Sequence, residues 1–129
     1  MARLVENIAT YLAANGIGTK ATDIFIGTMP DTLDNCVMID QTGGVQADRY
    51  LPVLKPTVQI SVRNTSFLSG LDKISAIYNL LHQKGDNLVL ESGGVDVMRI
   101  DAMGEPGHLG QDDSSRHLFS CNFVVRLRN

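Results

Sequence analysis

The sequence predicts an α+β protein, a two-layer sandwich with two helices on one face of a mostly antiparallel sheet, in the order α-β-β-β-α-β-β-β. Three patterns lead there. Two segments repeat apolar residues at helical spacing. Several short segments alternate apolar and polar residues with a period of two. Glycine, proline and asparagine clusters separate them. The 129 residues suffice for one core and one domain, 1–129, and the 43% apolar content is that of a folded chain.

The first helix is predicted over 2–15, where Leu4, Val5, Ile8 and Leu12 form one apolar stripe and Gly16 stands in the usual helix-ending position. Residues 23–29 and 35–40 read as strands, joined across PDTLDN as a hairpin. Residues 41–56 read as a long connection, opened by Gly43-Gly44 and stiffened by Pro52 and Pro56. Its Tyr50, Leu51, Val53 and Leu54 are costly to leave in water, so they either cover their own sheet or contact another chain.

Residues 57–63 alternate cleanly, with Val58, Ile60 and Val62 on one face. Asn64, Thr65 or Ser66 then caps a second helix that runs to Lys84 and ends at Gly85. Phe67, Leu71, Ile74, Tyr78 and Leu81 share its apolar face. Strands at 88–91 and 95–102 flank a hairpin signal, Ser92-Gly93-Gly94. An open stretch, GEPGHLGQDDSSR, fills 104–116. In the last strand Phe119, Cys121, Phe123, Val125 and Leu127 face the core, with Ser120, Asn122, Val124, Arg126 and Arg128 opposite.

Catalytic chemistry finds no support. Cys36 and Cys121 are far apart and each inside a strand, which fits buried thiols in a reducing compartment rather than a disulfide framework or metal knuckle. The net charge of −3 comes with no basic cluster beyond Arg126 and Arg128, which argues against duplex binding. The N-terminus lacks a continuous signal-peptide core, no run is long enough to span a membrane, and the chain reads as soluble and made in a cytoplasm. His108, Asp112, Asp113 and His117 are metal-capable, but a glycine-rich loop holds the first three; a solvated loop is the simpler reading, and no metal or cofactor is assigned. Asp96 and Asp101, five residues apart, fall on opposite faces of a regular strand, which does not suit a carboxylate pair. His82 lies in the last turn of the second helix, where a cation favours the dipole. There is no GxSxG elbow, dinucleotide fingerprint or P-loop.

The segments DIFIGTMPDTLDNCVMI, TGG, DRYLP, PTVQISVR, AIYNLLH and RHLFSCNFVV, in this order and spacing, resemble the small tail-terminator proteins of long-tailed bacteriophages, often labelled minor capsid or tail-completion proteins. The likeness spans nearly the whole chain and is similar in plan to the lambda-type terminator. It implies an α+β subunit in a hexameric ring that caps the tail tube, stops its polymerisation and offers a head-joining surface. It implies no enzyme activity. The implied partners are further copies of the chain, the tail-tube protein and a head-completion or connector protein, with DNA passing through the lumen unbound. The implied location is the virion, after assembly in the host cytoplasm. Asp48, Arg49, Tyr50, Leu51 and Pro52 match the loop motif and are the candidate contact residues for ring or tube. The alternative is a small metal- or ligand-binding domain using 108–117.

Overall fold

Eight elements follow one another in the computed structural model, which describes residues 3–45, 53–82, 90 and 94–128. They are α1 (Leu4–Ala14), β1 (Ile24–Ile26), β2 (Cys36–Val45), β3 (Val53–Asn64), α2 (Phe67–Leu81), β4 (Val97–Ala102), β5 (Gly107–Gln111) and β6 (His117–Arg128). The strands make one six-stranded sheet in the order β1-β2-β3-β6-β4, and β5 continues the β4 side by pairing with β6. All pairings are antiparallel except β1 with β2. Class and element order are those predicted.

The core lies between the helices and one sheet face. Val37, Val62 and Phe119 stand in register across β2, β3 and β6, as do Ile39, Ile60 and Cys121; Val58 pairs with Phe123 and Ile100 with Val125, and all are buried. Leu4, Ile8 and Leu12 of α1 and Ile74, Ile77 and Leu81 of α2 close over them in the same cluster. α1 ends as its sequence suggests: Gly16 N–H donates to Ala13 O and Ile17 N–H to Leu12 O, while the Ile17 and Leu12 side chains are both buried. Of the three candidate caps for α2, Ser66 takes the role, its hydroxyl accepting from Ser69 N–H. Lys84 and Gly85 lie outside the described residues.

The buried line of α2 is Gly70, Ile74, Ile77 and Leu81, one step round from the predicted stripe. Gly70 is the cause. A Cβ there would overlap Phe119 Cε2 and stand 3.0 Å from its Cδ2, so the helix comes against the sheet at Gly70. Phe67, one turn earlier, is left 40% exposed at the rim.

Three expectations need correction. First, β1 and β2 do not form a hairpin; Ile24, Phe25 and Ile26 run parallel to Val37, Met38 and Ile39. β1 is only three residues long, so the chain has to travel back only about 10 Å. Residues 27–35 do this by folding over the end of the sheet where β3 stops. Arg63 donates there to the carbonyls of Pro30 and Leu33, and Arg116 to those of Asp31 and Leu33.

Second, the described residues of the 41–56 connection, 41–45 and 53–56, are strand. Gly43, Gly44 and Val45 pair with Thr57, Pro56 and Lys55 beyond an irregularity at Gln41/Gly43. Gly44, at φ +138, presses so closely on the Lys55 carbonyl and Pro56 that no side chain fits. The glycines that read as a loop opening are what lets the ladder pass a proline.

Third, the open stretch at 104–116 contains β5. Asp112 turns the chain back onto β6, its Oδ1 accepting from Ser114 and Arg116 N–H at 3.0 Å each. The strand predicted at 88–91 and the turn at 92–94 lie almost wholly outside the described residues. Leu90, which is described, is buried in the core cluster. Among the described residues, the three strands after α2 are β4, β5 and β6.

Candidate functional site

The five candidate contact residues, Asp48, Arg49, Tyr50, Leu51 and Pro52, lie outside the described residues. The elements that bring the chain to them are described. β2 pairs with β3 as far as Val45 opposite Lys55, while Val53 and Leu54 at the start of β3 pair with Arg128 and Leu127 of β6, and a hydroxyl pair, Thr42 Oγ1 to Thr57 Oγ1 at 2.7 Å, bridges β2 and β3 beside their irregular step. Beside this step is a groove of about 740 Å³. Leu4 and Val5 of α1, Gly43 and Gly44 of β2, Leu54 of β3 and Leu127 of β6 line it, and Arg3, Lys55, Asp96 and Arg128 contribute polar atoms. The groove stands at one end of the sheet, where β6 finishes.

The opposite end, where β6 begins, is polar and tightly tied. Arg63 and Arg116 are 5% and 4% exposed although they are arginines. Arg116 binds Asp112 Oδ2 at 2.8 Å and Asp31 Oδ1 at 3.0 Å besides its two carbonyls. Hydrogen bonds from the Arg116 backbone N–H, from its guanidinium and from Ser114 N–H hold the Asp112 carboxyl below the usual range, against burial that pushes it up. The alternation of residues 57–63, in which Arg63 falls on the polar face, does not reveal this role. Period-two patterning marks the face of a residue but not a loop that returns over it.

Of the four metal-capable residues, the structure brings two together. His108 Nε2 and His117 Nδ1 are 3.1 Å apart across the β5–β6 ladder. Asp112 is engaged by Arg116, and Asp113 is exposed. Among the described residues no group of three or more His, Cys, Asp or Glu side chains could hold a metal ion.

Other titratable residues singled out in the sequence make contacts within the fold. Cys36 and Cys121 are free, buried thiols. Burial pushes Cys121 up to about 11 and raises Cys36 despite the opposing fields of Arg63 and Arg116. The opposite-face expectation for Asp96 and Asp101 fails, because β4 is irregular between Val97 and Arg99. Asp101 reaches Arg126 at 3.1 Å and Asp96 reaches Arg128 at 2.9 Å, both arginines of one β6 row. Each carboxylate is thus ion-paired. His82 acts through a hydrogen bond more than through the helix dipole: its Nδ1 accepts from Ala102 N–H at 3.0 Å and its ring stacks on Tyr78, joining the end of α2 to β4. Leu68, Met103 and Leu109 are exposed apolar side chains. No helix among the described residues is long and apolar enough to cross a membrane.

Known proteins match this arrangement at two levels. The model of the Phage_tail_terminator_6 family, described as bacteriophage tail terminator protein, matches residues 11–129. Among solved structures, a chain from the virion of a native gene transfer agent (GTA) particle superposes with a TM-score of 0.61 at 16% identity, over 94% of this chain and 86% of that one. That likeness is one of fold. No curated protein sequence matches.

Proposed function

This chain belongs to the bacteriophage tail terminator proteins, and from that premise we propose that it closes the end of a phage tail tube as a ring of identical subunits. The ring has six copies, ends tube polymerisation and presents the surface to which a head-completion or connector protein binds. The role is structural, without catalysis, and residues 1–129 act as one domain. The observation that carries the reading is the family match over residues 11–129.

Physical features support it. A closed ring is built from heterologous contacts, in which one patch meets a different patch on the next copy. The sheet has two dissimilar edges, the short β1 on one side and β4 with β5 on the other. The loop carrying Asp48, Arg49, Tyr50, Leu51 and Pro52 is our candidate for the ring or tube contact, because it is apolar in sequence and joins β2 to β3 at one end of the sheet. A lumen that passes DNA must not hold it. Arg99, Arg126 and Arg128 are each ion-paired to Asp101 or Asp96, so the sheet offers phosphate no bare cationic stripe there. Assembly takes place in the host cytoplasm, and the tail-tube protein is the first partner.

The test is a phage carrying a null allele of this gene, imaged by electron microscopy. Overlong tails and unattached, DNA-filled heads are expected. Tails of normal length joined to heads would sink the reading. Complementation with a Tyr50→Ala/Leu51→Ser allele then tests the loop: a folded protein that fails to close tails places the contact there, and full rescue removes the loop from the ring interface.

A further inference from the structure

The histidine pair at the start of β6 is more than the hydrogen bond it makes. In a regular antiparallel ladder the odd spacing of His108 and Gln111 would put them on opposite faces. The register shift between His108 and Gly110 cancels this. His108 stands opposite Phe119 and Gln111 opposite His117, so the two histidines, the glutamine and Phe119 share one side of the sheet. Aromatic packing positions both imidazoles. The Phe67 ring meets His108 edge-on at 4.9 Å and His117 at 5.5 Å, and His108 also lies 5.0 Å from Phe119. His108 is exposed and His117 half-buried, so solvent and solutes reach the pair.

We propose that His108 Nε2 and His117 Nδ1 chelate a divalent transition metal of the zinc class, clipping the edge strand β5 to β6. With nitrogen about 2.0–2.1 Å from zinc and a tetrahedral angle between donors, two ligand nitrogens lie about 3.3–3.4 Å apart. The pair stands at 3.1 Å, so an opening of about 0.2–0.3 Å, with the rings turned until both lone pairs meet at a point beside the N···N line, admits the ion. The metal replaces the proton that a neutral pair must share, and water fills the remaining positions. Imidazole selects zinc, copper or nickel over magnesium or calcium, which take oxygen donors. A histidine that ligates through Nδ1 carries its proton on Nε2 and needs an acceptor there. The Gln111 amide is 3.4 Å from that atom and supplies its oxygen by an amide flip that gives up its 3.3 Å bond to the Ser115 carbonyl. The two donors are pre-placed across a paired ladder, so binding orders little that the fold has not already ordered. This inference is independent of the tail-end reading.

The test is titration of the purified chain with zinc chloride in a non-coordinating buffer, followed by calorimetry and by imidazole proton–nitrogen NMR correlations. We expect one equivalent per chain, joint shifts of the His108 and His117 ring signals, an unmoved His82 signal, and no response to magnesium chloride. His108→Gln and His117→Gln should each weaken binding at least about tenfold. The NMR readout on the parent protein decides even if a variant folds poorly. Zinc that leaves the His108 and His117 signals in place, or that binds folded His117→Gln as tightly as the parent, overturns the proposal.

Discussion

Gly70→Ala tests how closely α2 approaches the sheet. In an ordinary helix interior the substitution stabilises by about 1 kcal/mol, since alanine loses less backbone freedom. Here the new methyl would overlap Phe119 Cε2 and lie 3.0 Å from Cδ2 and 3.1 Å from Asn64 Cβ. Carbon pairs settle at about 3.5–4.0 Å, so relieving the Cε2 overlap requires the helix to withdraw by somewhat more than about one ångström, or Phe119 to leave its rotamer. Phe119 is 0% exposed and Asn64 8%, so neither has open space to move into. Overpacking of this kind costs about 1–3 kcal/mol. The net loss is about 0–2 kcal/mol, or a few degrees in melting temperature at about 3–5 °C per kcal/mol for a chain of this size. The sharper measurement is a double-mutant cycle with Phe119→Leu, which removes the ring atoms that clash. In that background Gly70→Ala should turn stabilising, by up to about 1 kcal/mol, giving a coupling of about 1–3 kcal/mol. Thermal and urea melts of the four proteins supply the numbers. A Gly70→Ala protein stabilised equally in both backgrounds, with no coupling, would refute the close approach.

Two further outcomes follow from the core and the ion pairs. Phe123 is 0% exposed between Val58 and Ala102, so Phe123→Ala should lose about 3–5 kcal/mol in urea unfolding, and a loss under about 1 kcal/mol would mean that this face of β6 is not core. The Asp101 carboxyl is held below its ordinary 3.8 first by the Arg99 hydrogen bond and then by the fields of Arg99, Arg126 and His82, against burial that raises it. A lowered folded-state value favours the ionised carboxylate, so its stabilisation is complete above the ordinary value and is lost as pH falls through the lowered one. Asp101→Asn should therefore melt below the parent at neutral pH, with the gap closing only in that acid window; a gap independent of pH would refute the pairing.

The fold was legible wherever burial sets the period. β3 and β6 alternate because Val58, Ile60, Val62, Phe119, Cys121 and Phe123 all face one layer of helix, and that demand is written into every second residue. β5 was not legible. His108, Leu109 and Gln111 are exposed, so no burial imposes alternation on them, and an irregular register scrambles what pattern remains. The parallel β1–β2 pair was hidden because the residues that hold it, Arg63 and Arg116, act on carbonyls some 30 and 85 residues away along the chain. A guanidinium that binds loop backbone leaves no mark in the loop's own side chains.

Family membership was legible by a different route. The residues contain no reactive centre that a chemical motif could identify, and the loop motif at Asp48–Pro52 looks like any apolar connection when taken alone. What identifies the family is the ordered succession of strand, turn and helix signatures. That succession runs from β1 to β6 in this chain, and the family match covers the same span. The metal-capable residues show the converse. Spacing along 108–117 offered four donors, but the turn at Asp112 commits one of them to Arg116, and the register shift in β5 selects His108 and His117. A sequence supplies candidate ligands, and the ladder decides which of them meet.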